Sequence, residues 1–88
     1  MKIFSLSKPE LDIDITEYFN LAEQDKEYVT QEILSIYSAN IERDDQLKYY
    51  YIKQIKLSVQ RAIDNEMYEL AEIMERVKKA FEEKYFPN

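Results

Sequence analysis

Glycine, cysteine and histidine are all missing from this 88-residue sequence, and proline occurs only at Pro9 and Pro87. Each absence removes a class of chemistry. Without glycine there is no phosphate-cradling loop of the Walker or dinucleotide type, because both need it where the backbone approaches phosphate. Without histidine, the commonest general base and the commonest metal ligand are gone together. Without cysteine there are neither disulfides nor thiolate metal sites, and a reducing cytoplasm is the expected location. An enzyme would have to work with carboxylates, lysine or tyrosine, so a non-enzymatic role is expected. No cofactor is expected.

Long apolar runs are missing too. The stretch after Lys2 in "MKIFSLS" is too short for a signal peptide, and no segment is long enough to span a bilayer, so no membrane partner is expected. The acidic clusters Glu10, Asp12, Asp14, Glu17 and Glu42, Asp44, Asp45 lack the spacing and the glycine of a calcium loop. They read as solvated, helix-capping acid, and no metal is expected.

Charge is present in quantity and unevenly spread. The net is −6. Met1 to Asp45 carries four Lys/Arg against eleven Asp/Glu, whereas Gln46 to Asn88 carries eight against seven. A negative surface repels phosphate, so nucleic acid is disfavoured as a partner, which leaves open a partner with a basic surface.

With so few breakers, the apolar residues recur at helical spacing. The expected fold is all-α: one small antiparallel bundle of three to four helices behind an irregular N-terminal arm, residues 1–14. A first helical part covers 16–42, with Thr16 as N-cap and a break near 24–26, where Asp25 could cap a new helix. Its stripe is Val29, Ile33, Leu34, Tyr37 and Ile41. A helical hairpin, 45–84, follows. Asp44 or Asp45 caps its first helix, and Leu47, Tyr51, Ile52, Ile55, Val59, Ala62 and Ile63 form the stripe. Asp64 and Asn65 are cap candidates for its second helix, whose stripe is Met67, Leu70, Ala71, Met74, Val77, Phe81 and Tyr85, widened at one edge by Ile73 and Ala80. Glu72–Arg76 and Glu75–Lys79 stand at i,i+4 in the favourable order.

"KYYYIKQIKL", Lys48 to Leu57, holds more apolar side chains than one stripe can use. A turn of 100° per residue sends Tyr51 and Ile52 to the core stripe, and sets Tyr50 and Leu57 on a flanking ridge. That ridge predicts that this helix is the centre of the bundle, with neighbours on two sides. Tyr49 falls on the opposite side with Lys53, Lys56 and Gln60. The mixture of basic and aromatic side chains could stack and neutralise nucleic acid. The reading preferred for an acidic chain is that these lysines answer Asp25, Glu27 and Glu32. Tyr68, off its stripe beside the joint, is expected to fold back over the loop as a staple, with a partner contact as its functional alternative.

"AIDNEMYELAEIMERV", Ala62 to Val77, resembles the UVR motif, a short helical hairpin. Ala62, Ile63, Glu66, Tyr68, Glu69 and Ala71 match, whereas Glu72 stands where a second alanine is usual and Glu75-Arg76 replaces Arg-Asp. The resemblance covers about a fifth of the chain. It implies a protein–protein docking hairpin, as in excision-repair subunits and some protease or kinase adaptors.

Eight tyrosines, several off-stripe, agree with an adaptor, regulator or subunit that binds protein through a helical face, since tyrosine is enriched at interfaces. The candidate contacts are Tyr49, Tyr50, Lys53, Lys56, Leu57 and Tyr68. The partner is another protein, with a second copy of the chain among the candidates. The alternative is an acidic mimic of DNA that inhibits a nucleic-acid enzyme through carboxylates between Glu10 and Asp45.

Overall fold

A computed structural model describes residues 15–87; the expected arm, 1–14, lies outside the described residues. Among these residues the fold is all-α, with a 3-10 segment (Ile15–Asn20) and three helices: α1 (Glu23–Arg43), α2 (Leu47–Asp64) and α3 (Tyr68–Tyr85). No strand occurs among them.

The stripes find their partners. Leu34 and Ile41 from α1, Ile55 from α2, and Val77 and Phe81 from α3 form one buried cluster, flanked by Tyr37, Leu47, Tyr51 and Ile52. Rings concentrate around Phe81, which meets Tyr37 edge-on at 6.0 Å and Tyr85 at 4.8 Å between centroids. A smaller cluster joins Tyr18 of the 3-10 segment to Val29 of α1 and Ile73 of α3, all fully buried.

The centre of the bundle is α3. It packs on both α1 and α2, which scarcely meet each other. This corrects the expectation that the helix carrying "KYYYIKQIKL" has neighbours on two sides. Ile73 decides the matter. Read as the edge of one stripe, it is the core of a second face, which gives α3 the two apolar sides that a central helix needs.

The interruption before α1 also falls elsewhere than expected. Residues 24–26 are helical, and the chain bends at Leu21 and Ala22, where Ala22 is extended (φ −63°, ψ 154°). Packing overrides propensity here. The buried Tyr18 holds the preceding segment in a 3-10 turn, closed by the Leu21 N–H donating to the Tyr18 carbonyl at 3.1 Å. Asp25 lies in the first turn of α1 and is not its cap.

The capping residues serve other ends than those predicted. Asp64 closes α2, and Asn65 caps that same helix by donating from Nδ2 to the Arg61 carbonyl at 2.8 Å; no side chain caps α3. At this joint the Met67 N–H donates to the Ala62 carbonyl at 2.8 Å and the Glu66 N–H to the Ile63 carbonyl at 3.0 Å. That bond pair is a Schellman motif, with Glu66 in the left-handed region at φ 59°, where glycine is usual. Asp44 contributes an Asx-type turn by accepting from the Gln46 N–H at 3.1 Å.

Both buried polar residues among those described, Thr30 and Ser38, are hydrogen-bonded. Thr30 donates to the Lys26 carbonyl at 3.0 Å, and the Ser38 hydroxyl oxygen accepts from Tyr85 at 2.8 Å and from Lys84 at 3.0 Å, which ties α1 to the end of α3. Arg76 donates to Glu72 at 2.9 Å and to Glu23 at 2.6 Å, joining α3 to the first turn of α1. The other expected pair does not form, because Glu75 turns to Lys78 at 3.1 Å in preference to Lys79.

Candidate partner-binding surface

The outer face of α2 is open because α3 covers only the inner one. Tyr50 and Leu57, two turns apart on one ridge, are 57% and 41% exposed. Tyr50 meets only its neighbour's edge, 5.8 Å from the Tyr51 ring centroid, so the ridge covers no second helix. Lys53 and Lys56 are exposed beside it. Neither forms an ion pair among the described residues, so the expected answer to Asp25, Glu27 and Glu32 is not made. The cation of α2 that does find an acid is Lys48, 3.1 Å from Asp45; that hydrogen bond raises its pKa above the ordinary lysine value. From Leu47 to Ile63 the helix has no acidic residue. Its outer face is therefore a basic strip with apolar anchors on an acidic protein.

Tyr49 behaves differently from its neighbour. It is 51% exposed, yet its ring packs 5.7 Å from that of Phe86, and Lys48 lies 5.4 Å from its centroid. Tyr49, placed by the wheel opposite the core stripe, thus has an internal contact, whereas Tyr50 has no ring contact beyond its own helix among the described residues.

Tyr68 lies away from this strip, at the other end of the hairpin. At 56% exposure it does not close over the loop as a staple. It forms one wall of a groove of about 350 Å³ with Phe19 of the 3-10 segment and Ile63 of α2. Val59 and the small Ala71 make the floor, and Glu72 and Glu75 the rim. Both Phe19 and Ile63 are missed by sequence reasoning: Phe19 has no stripe to depart from, and Ile63 fits the α2 stripe although it is 46% exposed beside the joint. Ile36, 61% exposed on α1, is also missed, although a wheel places it off the stripe of Val29, Leu34 and Ile41.

The strongest electrostatic perturbations are structural. Burial pushes the Tyr18 phenol up to about 12, partly offset by nearby Arg76, and its hydroxyl finds no hydrogen-bond partner among the described residues. The Arg76 hydrogen bond holds Glu23 below its ordinary carboxylate value, and Glu23 and Glu72 together raise the Arg76 guanidinium further. Among the described residues no group of three acidic side chains is placed to hold a metal, and no helix is long and apolar enough to cross a membrane. Comparison with protein families, with curated proteins and with solved structures returns no match for this chain.

Proposed function

We propose that the chain is a small non-enzymatic protein-binding module that presents the outer face of α2 to a protein partner, as one helix of an antiparallel bundle. The observation that carries the reading is the exposed Tyr50–Leu57 ridge beside Lys53 and Lys56, cations that form no ion pair among the described residues. Tyrosine and leucine supply apolar area, and unpaired lysines supply attraction and orientation. The partner segment is therefore apolar at its centre and acidic at its edges. The likeness of Ala62 to Val77 to a UVR hairpin implies a docking role in general, although it includes none of Tyr50, Lys53, Lys56 and Leu57. Nucleic acid fits less well, because a chain of net −6 repels a phosphate polymer beyond the reach of two lysines. The DNA-mimic alternative also has less support, since Arg76 engages Glu23 and Lys48 engages Asp45, which takes two carboxylates out of a phosphate-like row.

The test is affinity capture from extract of the source cells, with mass-spectrometric identification. Wild type is compared with Tyr50→Ala/Leu57→Ala, with Lys53→Glu/Lys56→Glu, and with Ile36→Ser as a control on α1. A protein held by wild type and the control but lost by both double variants supports the reading. A captured set unchanged by either double variant sinks it, and retention of DNA or RNA at low salt replaces it with direct nucleic-acid binding.

A further inference from the structure

The groove at the far end of the hairpin differs from the α2 strip in charge, with glutamates in place of lysines at its edge. Phe19, Ile63 and Tyr68, each about half exposed, stand around a floor of Val59 and Ala71. Glycine-sized approach is not needed, because Ala71 already leaves room between the larger walls. Such a groove between helices accepts the ridge of another helix. An extended peptide would lack the sheet edge that usually receives it, since no strand exists among the described residues.

Charge selects the occupant. Glu72 and Glu75 form the rim, and Asp64, Glu66 and Glu69 surround the joint. Compensation is incomplete. Arg76 is shared between Glu72 and Glu23, Lys78 serves Glu75, Asp64 receives only the neutral amide of Gln60 at 2.9 Å, and the exposed Arg61 offsets one of the three acids at the joint. We infer that this groove binds an amphipathic helix from another protein, with apolar residues one turn apart seated between Phe19, Ile63 and Tyr68 and lysines or arginines flanking them. The site is independent of the α2 strip, so the chain could hold an acidic segment on one face and a basic one at the other end.

The probe is a fluorescein-labelled amphipathic peptide with leucines at i, i+4 and i+7 and lysines on both flanks, titrated with the full chain. Saturable binding that weakens with added salt is expected, and Phe19→Ala and Tyr68→Ala each raise its Kd about tenfold. These are surface positions, and circular dichroism confirms that the variants stay folded. Leu57→Ala leaves this Kd unchanged, which separates the groove from the α2 reading. Equal binding of a scrambled peptide or of a glutamate-for-lysine peptide overturns the inference, as does a Kd indifferent to Phe19 and Tyr68. A doubled mass in light scattering that the peptide competes away puts a second copy in the groove and overturns it too, and so do nuclear Overhauser contacts from the chain's own Phe4 to Tyr68.

Discussion

Tyr49 at the start of α2 lies against Phe86, the residue that follows α3, with 5.7 Å between ring centroids. Phe86 in turn lies 6.3 Å from Phe81 in the core. The contact therefore fastens the last turn of α3 to the first turn of α2. Tyr49→Ala should free that turn at a cost of about 1 kcal/mol, the usual value of an aromatic pair beyond its buried area. Amide exchange at Lys84 to Phe86 should accelerate, whereas Tyr50→Ala leaves it unchanged. Equal effects of the two would remove the distinction drawn between them.

Glu66 occupies the left-handed position of the α2–α3 joint in a protein without glycine. A side chain with a Cβ is strained there, whereas glycine adopts the same backbone freely. Glu66→Gly is expected to stabilise the fold by about 1 kcal/mol, offset in part by the greater freedom of an unfolded glycine. The thermal midpoint should rise by a few degrees, roughly as expected for a domain of this size. A lower midpoint would show that the carboxylate contributes more than the strain costs.

Tyr18 is fully buried with its hydroxyl unpartnered among the described residues. A buried donor left unpaired costs about 1–3 kcal/mol, so Tyr18→Phe should be neutral or stabilising in urea unfolding. The two proteins should also differ in alkali. The folded phenol is pushed up to about 12, while an unfolded tyrosine ionises near 10. Between those values the unfolded chain has lost the proton that the folded chain keeps. The Tyr18 contribution to stability is thus constant below about pH 10 and falls as pH rises towards 12. Tyr18→Phe should flatten this decline, leaving the smaller share of Tyr37, whose pKa is also raised by burial.

Acid acts on the other buttress of the same region. Arg76 holds the Glu23 carboxylate below its ordinary range, so the folded state binds that proton less readily than the unfolded one. The stability this provides is present above the unfolded value, near pH 4.3, and is lost as pH falls through the folded one. Because Glu23 is well exposed, the loss is small and weakens with salt. Arg76→Met should abolish the salt-sensitive part of acid unfolding between pH 5 and 3, read as the urea midpoint at about 20 mM and about 500 mM NaCl. An unchanged salt dependence would place the acid sensitivity elsewhere.

The periodic residues were readable from sequence because burial imposes the period. Val29, Leu34 and Ile41, then Ile55 and Val59, then Val77 and Phe81 stand at helical spacing and are buried. What the period leaves open is which helix has two covered sides. Tyr50 with Leu57 and Ile73 with Ala80 are equivalent second ridges on a wheel, and only the packing of α1 chooses between them. The caps were misassigned for a related reason: a polar joint such as "DNE" can serve the helix on either side, and here the carbonyl end of α2 takes it. The α2 candidates could be named from sequence because they share one helix. The groove could not, since Phe19, Ile63 and Tyr68 come from three elements whose approach depends on Tyr18 being buried.

The central position of α3 also sets an order of events during synthesis. The ribosome makes α1 and α2 first, and these two helices scarcely touch. Until Ile73, Val77 and Phe81 emerge, their apolar faces have little beyond the Tyr37–Tyr51 ring contact at 5.0 Å to close on, and isolated helices of this length are marginal in water. The nascent chain therefore carries two open amphipathic helices until the third is complete, and the core closes in one late step.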